Sequence, residues 1–388
     1  MNITSDNNQV EQINTNILHS YMKKTILLIF DGKMSFLPPF QTIINCLLDK
    51  GEYDIKVVST EEETETDSMY EQKGIVINHC YKRYYFSDPI RKNIFRIIKE
   101  IKIYKGINNY INRIPHDILW IIHEKTAIKI RPLLKNRPFI LSIYELRDDE
   151  KKLLKKLSRV ANQATVNVVC EYNRAQIQRS WFNLDEMPIV FPNKPFNHPR
   201  KRGAESPLVI KQGIKYVLYQ GIITENRNLE ILSEAISGMD GFKLVLMGGK
   251  TQYLNRLLEK YPSIIYINHI KAPNHLKVTS NAYIGVVSYG YKCLNTLYCA
   301  PNKIWEYSGF GIPMLANDVP GLKYTVENNQ TGVCVDMNSV DNIRKAIKVI
   351  DNNYELYSKN ASAFYDTCDV SAIVEDILRK FETSKSSK

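Results

Sequence analysis

The segment at 25–30, TILLIF, is an unbroken apolar run rich in β-branched and aliphatic residues, and runs of the same kind recur at 53–59 (YDIKVVS), 74–78 (GIVIN), 117–122 (DILWII), 139–144 (FILSIY) and 165–170 (TVNVVC). A strand that is apolar on both sides must be covered on both faces, which a parallel sheet between two helical layers provides. Amphipathic stretches fill the intervals, the first at 39–48, and strand–helix alternation at this spacing predicts a doubly wound α/β sheet. Met22-Lys23-Lys24 ahead of the first run mimics a secretory leader, but its apolar core is short and Asp31-Gly32-Lys33 follows with no small-residue cleavage site. No run approaches the ~18–20 apolar residues of a membrane-spanning helix. Residues 1–21, polar and Asn-rich, are expected to form a disordered tail.

The texture changes at 192–203, PNKPFNHPRKRG, which has no periodicity and reads as a linker. A second alternation follows, with strands expected at 216–219, 242–247, 264–267, 282–288 and 313–316. Helices are expected at 228–237, 339–350 and 370–381. The chain therefore divides into a first α/β unit at 22–196, a linker at 197–212, a second unit at 213–369, and a last helix at 370–388 that crosses back. Ligands of open α/β sheets bind at the carboxyl ends of the strands, so two such units present a site on each wall of a cleft. The seven cysteines are scattered without CxxC spacing, which points away from a disulfide framework or zinc site and toward a reduced, cytoplasmic setting.

The segment 294–322, LNTLYCAPNKIWEYSGFGIPMLANDVPGL, carries the chemistry. Pro301 suits a first helical turn, where its missing N–H costs nothing. Asn302 and Lys303 then lie beside a positive helix terminus that favours phosphate. Glu306 falls one turn beyond Lys303 on the same face, where a carboxylate can accept from a ribose diol; an ordinary surface ion pair has the same spacing.

Pro301, Asn302, Lys303, Glu306, Tyr307, Gly311 and Pro313 match the PNK-x-x-EY…G-x-P segment of the GT-B glycosyltransferases, family-4-like group, and the chain resembles that family from about residue 23 to about residue 383. The resemblance implies two Rossmann-like domains facing across a cleft, the first binding an acceptor and the second a nucleotide-sugar donor, with a UDP-sugar expected. It implies that Glu306 binds the ribose and that Lys303 lies near the diphosphate. Gly221 and Arg227 would meet the donor phosphates, Gly248 would border the nucleotide, and His269 or Ile270 would lie near the base. On the acceptor side the ends of the strands offer Asp31, Gly32 and Tyr144. The stretches at 171–175 and 192–195 resemble architectural sections before the linker.

Two departures bear on mechanism. Retaining members carry an acid eight positions before the ribose glutamate, where this chain has Tyr298. Many members have a histidine where this chain has Tyr144-Glu145. Glu145 is then a candidate general base for an inverting reaction or an orienting group for the acceptor hydroxyl, with Asp31, His123 and Glu124 as rivals. Asp148-Asp149-Glu150 reads as the acidic opening of a helix rather than a metal-binding pair, so no cofactor and no metal are expected, and Arg227 and Lys303 would carry the leaving-group charge.

Formal net charge is +11, and residues 82–159 account for the excess. Interleaved with the bases are Tyr84-Tyr85-Phe86, Ile94-Phe95, Ile101 and Ile103-Tyr104, a composition suited to an anionic membrane surface. Nucleic acid is not expected as a partner, since no recognition motif is present and Glu61-Glu62-Glu63 lies in the same half. The expected protein is a glycosyltransferase on the inner face of the cell membrane that extends a glycan, lipid-linked by expectation, in surface-polysaccharide synthesis. The alternatives are a sugar-nucleotide epimerase of the same fold and a non-catalytic nucleotide-sugar-binding homologue.

Overall fold

The structure, a computed structural model, describes residues 23–62, 64–81 and 89–386; the expected tail at 1–21 and the run Tyr84-Tyr85-Phe86 lie outside them. The first unit alternates β1 (Lys24–Phe30), α1 (Pro38–Lys50), β2 (Tyr53–Glu61), α2 (Thr64–Glu71), β3 (Val76–Tyr81), α3 (Pro89–Arg113), β4 (Ile118–Ile122), α4 (Glu124–Ile130), β5 (Ile140–Ile143), α5 (Lys151–Ala161), β6 (Val166–Val169), α6 (Tyr172–Phe182) and β7 (Ile189–Val190). The second runs β8 (Lys215–Gln220), α7 (Leu229–Ser237), β9 (Phe242–Gly248), α8 (Gln252–Lys260), β10 (Ile265–Asn268), α9 (Leu276–Thr279), β11 (Ile284–Val287), α10 (Leu294–Leu297), α11 (Asn302–Ser308), β12 (Met314–Asn317) and β13 (Gly332–Val335), then α12 (Val340–Asn352), α13 (Tyr354–Asp366) and α14 (Val370–Ser386). The sheets are ordered β3-β2-β1-β4-β5-β6-β7 and β10-β9-β8-β11-β12-β13. Every paired neighbour among them is parallel. Strand order reverses between β1 and β4 and between β8 and β11, which puts a switch point at the end of β1 and another at the end of β8.

The two-sided burial expected of TILLIF is realised residue by residue. Ile26, Leu28 and Phe30 face a core shared with Phe40, Ile43 and Leu47 of α1. Leu27 and Ile29 face the opposite core, with Ile103 and Ile107 of α3 and Leu157 and Val160 of α5. Each such side chain contributes about 1.5–3 kcal/mol by leaving water. The last helix completes the first core, not the second: Val374, Ile377, Leu378 and Phe381 of α14 pack with α1 beneath β1.

Three expectations shift. Strand 74–78 begins later, at Val76, because Gly74 adopts φ +85° to close the turn after α2. Pro301 is extended (φ −75°, ψ 144°) and precedes α11, which opens at Asn302. On α3 the apolar anchors divide between two faces: Ile103 is fully buried in the core, whereas Ile97, Ile98 and Ile101 form the exposed stripe.

Residues between β7 and β8 form no regular element, yet they are fastened. Lys194 Nζ donates to the carbonyls of Tyr365 (2.7 Å) and Cys368 and lies over the Tyr365 ring. Burial pushes the His198 imidazole down to about 4, so it is neutral near pH 7 and its Nε2–H donates to the Glu306 carbonyl at 3.0 Å.

Candidate functional site

Helix α11 is set on the second sheet by its own side chains. Tyr307 is fully buried and its hydroxyl donates to the Leu218 carbonyl of β8 at 3.0 Å. Trp305 stacks on Phe364 of α13, ring centroids 4.7 Å apart. Tyr307 and Trp305 thus anchor two sides of a helical turn, and the third turns Lys303 and Glu306 toward the carboxyl end of β8. Glu306 meets Gln220, the last residue of β8, and Lys303 meets Gly221, the next one. A Cβ on Gly221 would lie 3.2 Å from the lysine's Cε and Nζ, and its φ of +128° is one that L side chains rarely adopt.

Both oxygens of the Glu306 carboxylate are held. His275 Nε2 lies 3.1 Å from Oε1, and Gln220 Nε2 donates to Oε2. Thr279 Oγ1 donates to Gln220 Oε1 at 2.7 Å and so orients the amide. Burial pushes the carboxyl up, but His275, the Lys303 charge and the Gln220 bond together hold it below its ordinary value.

Lys303 and Arg227 form the electropositive half of the site. Lys303 Nζ sits 5.0 Å from the Tyr219 ring centroid and 5.2 Å from that of Tyr289; the Arg227 guanidinium is 4.1 Å from the Tyr289 ring. Arg227 Nη1 also donates to the Ser288 carbonyl at 3.3 Å. Among the described residues no carboxylate forms an ion pair with either. Burial, and then the Arg227 charge, bring the Lys303 ammonium down to about 8. Two cations held together against aromatic rings, without an acid between them, form an anion site.

The remaining donor-side expectations have definite places. Gly248 lies under Gly221: any Cβ there would run into the Gly221 carbonyl, so packing alone explains this glycine. Ile270 packs against the second unit's core, and His269 is exposed. The Tyr298 carbonyl accepts from Arg174 Nε at 2.6 Å.

The groups expected on the acceptor side are engaged within the fold. Asp31 pairs with Lys129 and accepts from Thr60 at 2.8 Å. The Gly32 carbonyl accepts from Ser59 at 2.7 Å. Glu124 is fully buried, accepts from Arg147 Nε and Nη2 and from the Tyr144 N–H, and is a structural ion-pair partner. His123 caps α4 from a positive φ of 80°. Glu145 accepts from Asn295 Nδ2 of the other unit, while Asn295 Oδ1 accepts from the Leu146 N–H at 2.9 Å. Asp148 receives the Leu294 N–H at 2.9 Å and so grips α10, in place of the helix-opening role expected of it. Arg174, 4% exposed, donates to the carbonyls of Tyr144 in one unit and of Asn295 and Tyr298 in the other. The loop that leads into Lys303 is therefore held from the first unit.

Gln220, His275, Tyr289 and Asn295 escaped the sequence reading. The spacing of His275 and Thr279, one helical turn apart, was the available signal for His275.

Residues 214–353 match the family described as Glycosyl transferases group 1. An uncharacterized glycosyltransferase of Methanocaldococcus jannaschii is 22% identical over 303 residues, 70% of this chain and 79% of that protein. One from Haemophilus influenzae is 32% identical over 79 residues, 18% of this chain and only 22% of that protein's length. Among solved structures, sucrose-phosphate synthase from Thermosynechococcus elongatus superposes with a TM-score of 0.69 at 14% identity, covering 94% of this chain and 100% of that one. Anabaena HepE in complex with UDP and glucose gives 0.64 at 13%, covering 92% and 99%. These superpositions establish the two-domain GT-B fold.

Proposed function

We propose that this chain, a glycosyltransferase of GT-B fold, moves a sugar from a nucleotide-sugar donor to a hydroxyl of a glycan acceptor. The observation that carries the reading is the pairing of Lys303 with Arg227, two half-buried cations without a carboxylate partner, beside a Glu306 carboxylate at the switch point of the second sheet. HepE, of the same fold, binds UDP and glucose, which supports a uridine nucleotide as donor carrier here.

In this reading Glu306 accepts from the ribose hydroxyls while Lys303 and Arg227 lie against the diphosphate. As the acceptor oxygen forms its bond to the anomeric carbon, the bond to the diphosphate oxygen breaks and negative charge grows on the leaving group. The two cations are in place before that charge develops, the condition for electrostatic stabilisation without reorganisation. Glu145, held by Asn295 where the units meet, is assigned to the acceptor side as base or orienting carboxylate. The cations make the reaction independent of a divalent ion, so turnover should survive EDTA.

The acceptor is taken to be lipid-linked and the enzyme to work on an anionic membrane at the inner face of the cell membrane, in surface-polysaccharide synthesis. Supporting this, the exposed Ile97, Ile98 and Ile101 of α3 stand among the exposed Arg96, Lys102 and Lys105. On the same side of the first sheet, α5 presents Lys151, Lys152, Lys155, Lys156 and Arg159 to solvent. No described helix is long and apolar enough to cross a membrane, so contact would be peripheral.

The test is a thermal-shift panel of UDP-, GDP-, CMP- and dTDP-sugars, since a ligand of the native state raises its melting temperature. At least one should stabilise the protein and lose that effect in Glu306→Ala; no shift with any donor overturns the reading. Flotation with anionic liposomes, reversed by salt, tests the membrane half.

A further inference from the structure

We propose that His275 is a positioning residue for the donor: with Gln220 it clamps Glu306 so that each carboxylate oxygen keeps one acceptor site free for a vicinal diol. The proposal rests on the donor-site reading above and adds a residue to it. A carboxylate offers about four lone-pair sites. His275 Nε2 takes one on Oε1, at 3.1 Å, and Gln220 Nε2 takes one on Oε2. The remaining two lie on different oxygens, the arrangement that meets two neighbouring hydroxyls at once.

The clamp holds its amide by the side chain and its histidine by the backbone. Thr279 Oγ1 donates to Gln220 Oε1 at 2.7 Å, which leaves only the amide nitrogen for Glu306. The Thr279 backbone N–H donates to the His275 carbonyl at 3.1 Å, so histidine and threonine act as one turn of chain closing on the glutamate from β10's side. His275 and Glu306 side chains are each 15% exposed, so water competes weakly for their bond. His198 holds the backbone of the same residue from behind, through the Glu306 carbonyl. Glu306 is thereby fixed at both ends, and His275 is the one member of the clamp contributed by the segment between β10 and α9.

The experiment is isothermal titration of wild type, His275→Ala and His275→Gln with UDP, GDP and their 2′,3′-dideoxy forms, each variant first shown to melt as wild type does. Wild type should bind at least one diol-bearing nucleotide more tightly than its dideoxy form. His275→Ala should lose about ten-fold for that nucleotide, the size of one hydrogen bond to a charged group, and nothing for the dideoxy form. His275→Gln, whose amide can reach the same oxygen, should recover most of the loss. In turnover the donor KM should rise while kcat at saturating donor holds. Equal losses on diol and dideoxy nucleotides, or no loss at all, overturn the role of His275 and leave the donor site standing. Failure of wild type to bind either UDP or GDP overturns the diol clamp, whereas the donor site itself falls only if none of the four donor classes shifts the melting temperature.

Discussion

Replacing Lys303 with methionine should make the ligand-free protein more stable and the nucleotide weaker. Burial and the Arg227 charge lower the ammonium from its ordinary 10.5 to about 8, and at 1.36 kcal/mol per unit the charge costs the native state roughly 3 kcal/mol near neutrality. The sign follows from where the proton sits. Below about pH 8 both folded and unfolded chains hold it and the full penalty applies; between 8 and 10.5 the folded chain sheds it and the penalty fades. Methionine keeps the stem in place and removes the charge, forfeiting about 1 kcal/mol of attraction to the Tyr219 and Tyr289 rings. A net gain of about 2 kcal/mol remains, or a melting temperature higher by about 2–3 °C when the whole chain unfolds together. Differential scanning fluorimetry at pH 7 and pH 9.5, with and without UDP, reads all of this. The variant should melt higher at pH 7 and the gap should narrow at pH 9.5. UDP should raise wild type more than the variant, and wild-type affinity should fall above pH 8 as the bound lysine has to take up a proton. A Lys303→Met protein that melts lower than wild type at pH 7 without nucleotide would refute the reasoning, because Lys303 would then be a stabilising partner instead of a waiting cation.

Other consequences follow from individual contacts. His79 faces Asp67 at 3.1 Å through Nε2 and the Ser59 carbonyl at 3.1 Å through Nδ1, and the Asp67 bond holds its pKa above the ordinary value. Its contribution is fully present below pH 6.5 and is lost as pH rises through that higher value, so urea melts should show His79→Gln about 1.5 kcal/mol less stable at pH 5.5 and nearly equal to wild type at pH 9. Gly248→Ala should cost about 2–3 kcal/mol and blunt the UDP response, since the added methyl meets the Gly221 carbonyl, whereas Gly249→Ala, with open space around it, should melt as wild type. Arg174→Met strips the donor from one buried and two part-buried carbonyls; about 3 kcal/mol should be lost, and small-angle scattering should show a larger radius of gyration as the units part.

How much of this could be read beforehand depends on the range of the interaction. The parallel sheets were legible because a strand covered on both faces has to be apolar at every position, as TILLIF is. Strands β7 and β13 were not, being short edge segments in which Ile189-Val190 and Gly332–Val335 carry too little pattern to separate from a loop. Lys303 and Glu306 were legible as a pair because helical spacing is local. That they reach two consecutive residues, Gly221 and Gln220, was not, since the meeting is set by how Tyr307 and Trp305 seat the helix. Glu145 read as a base or an orienting carboxylate; its bond to Asn295 was not legible, because that partner lies in the other unit. The basic stretch was legible as charge, but the sorting of isoleucines into core and surface along α3 depends on which face of the helix meets the sheet.

The seat of α14 beneath β1 has a consequence for how the chain is made. During synthesis the amino-terminal sheet leaves the ribosome with one flank incomplete, and the place that Val374, Ile377, Leu378 and Phe381 fill stays open to water until the seventeen-residue α14 emerges. The half that is translated first is therefore the half that is finished last, and the carboxyl-terminal half has time to form on its own before the two are buckled together.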